Sequence, residues 1–384
     1  MFRGGRAAPL ISAVLSIAML ASACAERPKE APAIRTILPM EAVDPNIAAE
    51  QALTAISDNK VVEDDGVHTV LALSAGGADG AYGAGVLTGW TRSGKRPKFD
   101  VVTGVSTGAL MAVLAFLGPE YDGELERFYT TQSNEKIFRK RGLGGLFGDS
   151  LYDNGPLKDQ IEEFVTDDIL AKIAAEHAKG RRLYVATTNL DAGELVIWDM
   201  GDIANGGRTD SRQHFQKVLR ASAAVPAYFA PVYIKPQRGI QLRQAHVDGG
   251  VKAPILVGGF MFPPNKMPKE LFMVVNGNTV RHNASSPVKA NLADIAKKSI
   301  VELMRELQDD TIYRDFVIAR NVGATFRLTA IPDSIPMAAE SLNFDNERMR
   351  RLYQAGVVEG MKGPEGWLHE PPGVSRYERL VAAN

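Results

Sequence analysis

The chain has 384 residues, 45% of them hydrophobic and 23% charged, so it can bury a substantial core and is not disordered throughout. Its 44 lysines and arginines face 45 aspartates and glutamates, and a net charge of -1 offers no general attraction for a phosphate backbone. Nucleic acid is therefore not an expected partner, and the single cysteine excludes an intramolecular disulfide.

Residues 1–23 have the pattern of a secretory signal peptide. Basic residues precede the apolar run "LISAVLSIAML", which is short for a bilayer span but suits the hydrophobic region of an export signal. The run ends in "ASAC", where Ala21 and Ala23 fit an ordinary cleavage site and Cys24 resembles the lipid-modified cysteine of a bacterial lipoprotein, although Leu20 lies one place too early. We expect an exported protein, anchored to the bacterial cell envelope through Cys24, with free secretion as the alternative.

Residues 24–62 read as a tether between this cysteine and the folded part. They are rich in alanine, proline and charge and show no sustained apolar period, apart from one possible short helix near "AAEQALTAI". A single catalytic domain is expected over residues 63–384.

The folded part alternates strand and helix patterns. "HTVLALS", "AYGAGVLTGW" and "FDVVTGVS" describe one strand-helix-strand unit over residues 68–106. Further strands are predicted at "RLYVATTNL", "ELVIWDM", "IQLRQAHVD", "ELFMVVNG" and "ATFRLTAIP". One or two amphipathic helices are predicted beyond Ala290, and a closing helix at "NERMRRLYQAGVVEGMKG". This alternation predicts an α/β layer architecture with a mainly parallel sheet.

Ser106 lies between two glycines in "GVSTG", directly after a β-branched run and before the apolar "ALMAVLAFLG". The pattern G-x-S-x-G is the nucleophile elbow, a sharp strand-to-helix turn that needs glycines beside the serine. The alternative is an ordinary turn in which the serine only caps the helix.

A glycine-rich loop, "SAGGADGAYGAG", follows the first strand. It lacks both the P-loop and the dinucleotide spacing, so nucleotide binding is not favoured. Backbone N–H groups in such a loop can converge on developing negative charge. Because a right-handed crossover brings the ends of parallel strands together, this loop and Ser106 should share one sheet edge.

Asp248 ends a strand candidate and precedes two glycines in "HVDGGV". Alone, the pattern is a common turn signal, but the glycines would also leave the carboxylate accessible at a strand end.

Together these segments resemble the patatin-like phospholipases. The matching segments, in the family's order, are "LALSAGGADGAYGAGVL", "GVSTG", "ASAAVPAYFAPV" and "VDGGV". The resemblance implies a three-layer α/β/α fold and a serine-aspartate dyad that hydrolyses fatty-acyl esters of lipids without a cofactor. It assigns Ser106 as nucleophile and Asp248 as base. The oxyanion hole would be formed by backbone N–H groups of Gly76, Gly77, Ala78 and Thr107.

Two positions depart from the family pattern. Ala75 stands where the family usually has the first glycine of its oxyanion run, and Asp79 stands where it usually has arginine. We expect Asp79 to begin the following helix, where its carboxylate can accept backbone N–H bonds.

Alternatives to the dyad stay open. A carboxylesterase triad would need a histidine, and the candidates are His246, on the same strand face as Asp248, and His282 and His369 in polar loops. A non-catalytic envelope lipoprotein could keep the fold without the chemistry. No motif indicates a catalytic metal.

One further segment, residues 137–157, mixes basic residues and glycines with Leu143, Leu146 and Phe147. It is either an ordinary surface loop or a flap that meets lipid.

Overall fold

The computed structural model describes residues 42–43, 66–142, 148–206, 209–235, 243–279, 288–335 and 341–372. Several features named from the sequence lie outside the described residues: the predicted signal peptide, Cys24, most of the predicted tether, His282, and Leu143, Leu146 and Phe147 of the loop or flap segment. Within the range predicted as tether, residues Ala42–Val43 form a short strand, β1.

The strands that follow are β2 (His68–Leu73), β3 (Val101–Gly104), β4 (Arg139–Lys140), β5 (Tyr152–Asp153), β6 (Arg182–Asn189), β7 (Glu194–Asp199), β8 (Val232–Ile234), β9 (Gln244–Asp248), β10 (Lys269–Val275) and β11 (Ala324–Ala330). The helices are α1 (Gly80–Arg92), α2 (Thr107–Leu117), α3 (Asp122–Thr130), α4 (Asn134–Ile137), α5 (Gly155–Phe164), α6 (Asp167–Ala178), α7 (Met200–Asn205), α8 (Ser211–Ser222), α9 (Leu292–Val322) and α10 (Asn346–Lys362).

The main sheet has the strand order β1-β7-β6-β3-β2-β10-β11. From β6 through β3, β2 and β10 to β11, neighbouring strands run parallel. Strands β7 and β9 both pair antiparallel with β6, and β8 pairs with β9. The prediction of a mainly parallel sheet is confirmed.

Both faces of the sheet are covered, as expected for parallel strands that are apolar throughout. Along β2, Leu71 and Leu73 pack into one hydrophobic cluster, which includes side chains of α1, α2, α8 and α10. The alternate residues Val70 and Ala72 pack into a second cluster with residues of α9 and residues 255–262. The arrangement is the predicted three-layer α/β/α fold.

The stretch beyond Ala290, predicted as one or two helices, is the single helix α9, which ends at Gly323 in the left-handed conformation (φ 72°). In the part of the chain that the structure describes, no helix is both long and apolar enough to cross a bilayer.

Strands β3 and β9 lie end to end along the same edge of β6. Gly104, the last residue of β3, pairs with Val185, and Asp248, the last residue of β9, pairs with Thr187 two positions further along β6. This register places Asp248 beside the turn that follows β3. The turn carries Ser106.

Candidate active site

Ser106 occupies a strained turn between β3 and α2. Its backbone has φ 56° and ψ -124°, a left-handed region that a serine rarely adopts. A Cβ at Gly104 would lie 2.2 Å from the carbonyl oxygen of Gly108, and one at Gly108 would lie 2.3 Å from that of Leu73. Both glycines are therefore needed for the chain to pass so close to itself, as in a nucleophile elbow.

Ser222, at the end of α8, braces this turn. Its hydroxyl accepts a hydrogen bond from the Ser106 N–H (3.0 Å) and donates one to the carbonyl oxygen of Ala186 (2.7 Å). Ser222 is fully buried. Sequence analysis found the surrounding "ASAAVPAYFAPV" segment but missed this role, since nothing local reveals a contact over 116 residues.

Asp248 is fully buried at the end of β9. Its N–H donates to the carbonyl oxygen of Ala224 (3.0 Å), and its Oδ1 accepts from the N–H of Gly250 (2.7 Å). Burial raises the pKa of this carboxyl to about 7, because removal from water disfavours the charged form.

The Asp248 carboxyl also interacts with the Ser106 side chain. Hydrogen bonding with the Ser106 side chain partly opposes the rise in the pKa of Asp248. Among the described residues, no group makes a well-aligned hydrogen bond to Oδ2. A buried carboxyl whose pKa is near 7 and which interacts with a serine side chain can act as a general base at neutral pH.

The glycine-rich loop begins after β2. Gly77 has φ 58°, and a Cβ there would lie 2.4 Å from the carbonyl oxygen of Ser341. Within the described residues, the N–H groups of Gly76, Gly77 and Thr107 donate no hydrogen bond, whereas Ala78 N–H donates to Ser341 (2.8 Å). Three of the four predicted oxyanion donors are thus unpartnered, and the fourth is engaged by the chain itself.

Asn276, which follows β10, clamps the start of this loop. Its side-chain amide donates to the carbonyl oxygen of Ser74 (2.8 Å) and accepts from the N–H of Gly83 (3.1 Å). Ala75 N–H donates to the carbonyl oxygen of Pro254 (2.8 Å), and Ala75 does not need a positive φ, so the loop tolerates a methyl group there. Sequence analysis missed Asn276 because its partners lie about two hundred residues away.

Asp79 immediately precedes α1, as expected, but its side chain does not cap the helix. It is buried and forms an ion pair with Arg348 of α10. Asp79 is thus a helix-start residue, but its carboxylate pairs with a guanidinium and not with the backbone N–H groups at the start of the helix.

The described histidines make contacts outside the elbow. The Nδ1 atom of His246 lies 2.9 Å from Thr187 Oγ1, and its ring packs against Trp198. Burial lowers the pKa of His246 to about 4. His369 is exposed beside Arg327. The structure records no hydrogen bond from either imidazole to Ser106.

A narrow apolar cleft opens at the elbow, with empty space of about 860 Å³ that extends into solvent. Ser106 and Gly77 are among its lining residues. The remaining wall is mainly aliphatic and aromatic and includes Leu110, Leu114, Phe128, Ile161, Leu219 and Phe229. Such a wall suits a hydrocarbon chain.

Residues 71–261 match the family model of the patatin-like phospholipases. This part of the chain belongs to that family. The patatin-like region includes the glycine-rich loop, Ser106, Ser222 and Asp248, whereas Asn276 and Arg348 lie beyond it. Membership implies a lipid acyl hydrolase.

Other comparisons add little to this assignment. No curated protein sequence matches the patatin-like chain. The solved structure of VipD from Legionella pneumophila aligns with 77% of this chain, at 14% sequence identity and a TM-score of 0.41. The alignment covers 66% of the VipD chain, just under two thirds of its length. A likeness this distant carries no conclusion about activity.

In the described residues, no group of three or more metal-ligating side chains is found.

Proposed function

We propose that this protein hydrolyses fatty-acyl esters of lipids by a Ser106–Asp248 dyad, through an acyl-enzyme on Ser106. The observation that carries the proposal is a serine in a strained elbow that lines an apolar cleft and whose side chain interacts with the carboxyl of the buried Asp248.

In the first step, Asp248 accepts the Ser106 proton as the hydroxyl oxygen attacks the ester carbonyl. The oxyanion that forms is held by the N–H groups of Gly76, Gly77 and Thr107. The alcohol leaves with the proton, and water, activated by the same carboxylate, releases the fatty acid. The donor role of Ala78 requires that its hydrogen bond to Ser341 be exchanged for the oxyanion.

The cleft supports a long acyl chain as the group transferred. A fatty-acyl chain placed with its carbonyl carbon at Ser106 would have aliphatic and aromatic side chains on its sides. Each buried CH₂ would contribute about 0.8 kcal/mol to binding. Lipid esters are therefore favoured over small polar esters.

Labelling with a fluorophosphonate probe tests the nucleophile, since only an activated serine reacts. Wild type should label and Ser106→Ala should not; Asp248→Asn should label far more slowly while folding normally. His246→Ala, His282→Ala and His369→Ala should hydrolyse a soluble ester within a fewfold of wild type. If one of these three loses activity as fully as Ser106→Ala, the carboxylesterase triad replaces the dyad. If folded wild type never labels, the non-catalytic lipoprotein is the better description.

We also propose that residues 1–23 are removed on export, that Cys24 is lipidated and that residues 24–62 tether a catalytic domain spanning 63–384. Support comes from the sequence pattern alone. The mass of the natively expressed protein should exceed that of the chain from Cys24 by its acyl groups, and Cys24→Ser should release it from the membrane fraction. A mass that matches unmodified Cys24 would leave a freely exported hydrolase.

A further inference from the structure

A buried ion pair lies beside the oxyanion loop. Asp79 ends the short 3-10 turn Gly77–Asp79, and its side chain is 1% exposed. Its Oδ1 accepts a hydrogen bond from Nη1 of Arg348, whose side chain is 15% exposed. Among the described residues, Asp79 Oδ2 and Arg348 Nη2 have no hydrogen-bond partner. The charge of Arg305 also acts on the Asp79 carboxylate, more weakly than that of Arg348.

The arginine is held in place by its helix. Asp345 caps α10 by accepting the N–H of Arg348 itself (2.7 Å). One turn further, α10 meets α1 backbone to backbone: a Cβ at Gly85 would lie 2.0 Å from the carbonyl oxygen of Tyr353, and one at Gly356 would lie 2.1 Å from that of Tyr82. Helices in such close contact cannot slide without clashing, so the guanidinium has a fixed position relative to the loop.

The turn that receives this contact also touches the elbow. A Cβ at Gly80, the residue after Asp79, would lie 2.4 Å from Oγ1 of Thr107, the residue after the nucleophile. A displacement of Asp79 would therefore change the distance between the Gly77 N–H and Ser106. Oxyanion stabilisation is sensitive to that distance, since donors act only near 3 Å from the oxygen.

We propose that Arg348 is a positioning residue for the oxyanion loop, which it holds through Asp79; this inference rests on the proposed function. The positive charge beside the oxyanion loop is supplied from α10. The C-terminal helix, outside the matched residues 71–261, thus contributes to the active site.

The experiment compares Arg348→Met, Arg348→Lys and a matched control, Arg351→Met. Arg351 lies on the same helix and makes an exposed ion pair with Glu347. Turnover of p-nitrophenyl butyrate, fluorophosphonate labelling rate and thermal unfolding are measured for each. Arg348→Met should lower kcat on the order of 100-fold, as expected when an oxyanion donor is misplaced, with KM changed by less than about threefold. Arg348→Lys should recover part of the loss, and the control should match wild type.

Arg348→Met leaves Asp79 buried without a partner, and the variant could fail to fold for that reason alone. The double variant Asp79→Asn/Arg348→Met removes both charges and keeps the kcat test available. A folded double variant with reduced kcat and unchanged KM supports the inference. Wild-type kcat in either folded variant overturns it. Absence of labelling in wild type overturns the proposed function instead, so the two failures are distinguishable.

Discussion

Asp248→Asn should make the protein more stable at neutral pH while it removes activity. The wild-type carboxyl is fully buried and must be ionised to act as a base, so its charge opposes folding. Asparagine has nearly the same shape, can still accept the Gly250 N–H and carries no charge. Catalysis and stability therefore make opposite demands on this position.

The magnitude follows from the pKa of about 7 against the ordinary value of 3.8. At about 1.4 kcal/mol per pKa unit, the ionised carboxyl costs about 4 kcal/mol of folding free energy. Because the folded pKa is the higher one, the cost is absent below pH 3.8, grows as the pH rises from about 4 to 7 and is constant above that range. The asparagine variant does not titrate there.

Urea unfolding at half-unit pH steps measures the free energy of unfolding of wild type and of Asp248→Asn. We expect the value for Asp248→Asn minus that for wild type to increase by about 4 kcal/mol between pH 4 and pH 8. Over the same range, wild-type kcat/KM should rise with a midpoint near pH 7. Asp315→Asn is a matched control, since burial also raises the pKa of Asp315 to about 7 but its carboxylate binds Arg314 outside the site. Its pH-rate profile should equal that of wild type. A difference between wild type and Asp248→Asn that stays flat with pH would refute the reasoning.

Three further substitutions, one of them with a matched control, test the site. Gly77→Ala should lower kcat at least 100-fold because its Cβ would meet the Ser341 carbonyl, whereas Gly94→Ala, with a similar positive φ (72°) and open space, should lose only about 1 kcal/mol of stability and no activity. Ser222→Ala should cost about 1–2 kcal/mol in urea unfolding and lower kcat about tenfold, because the Ser106 N–H loses its acceptor; unchanged kcat would remove its bracing role. Leu110→Trp should narrow the cleft and reduce the ratio of kcat/KM for long over short acyl esters about tenfold, and an unchanged ratio would place the acyl chain elsewhere.

The elbow and the glycine-rich loop were predictable because the residues that identify them are adjacent in the sequence. The close contact between Gly104 and the Gly108 carbonyl lies within a turn of five residues, so the need for Gly104 is local, whereas Gly108 is required by Leu73 of the neighbouring strand. The sheet was predictable for a similar reason, since short apolar runs alternate with helical spacing.

The braces around the site were not predictable in this way. Ser222, Asn276 and Arg348 act over 116, 202 and 269 residues of sequence, and an isolated serine, asparagine or arginine carries no sign of such a partner. The error at Asp79 has the same cause: a local rule assigned its carboxylate to the helix beside it, and a distant guanidinium competes more strongly.

If Cys24 is lipidated as proposed, strand β1 limits how far the catalytic domain can lie from the membrane. It pairs with Trp198 and Ile197 of β7, so the chain is fixed to the edge of the sheet at residues 42–43 rather than first at residue 63. From a lipidated Cys24, only 18 residue steps (42 minus 24) would then separate the bilayer surface from that edge. Fully extended, these 18 steps span about 60 Å, roughly half the span of a tether that runs to Val62. If Cys24 is lipidated, the enzyme would reach only lipids within about that distance of its own anchor.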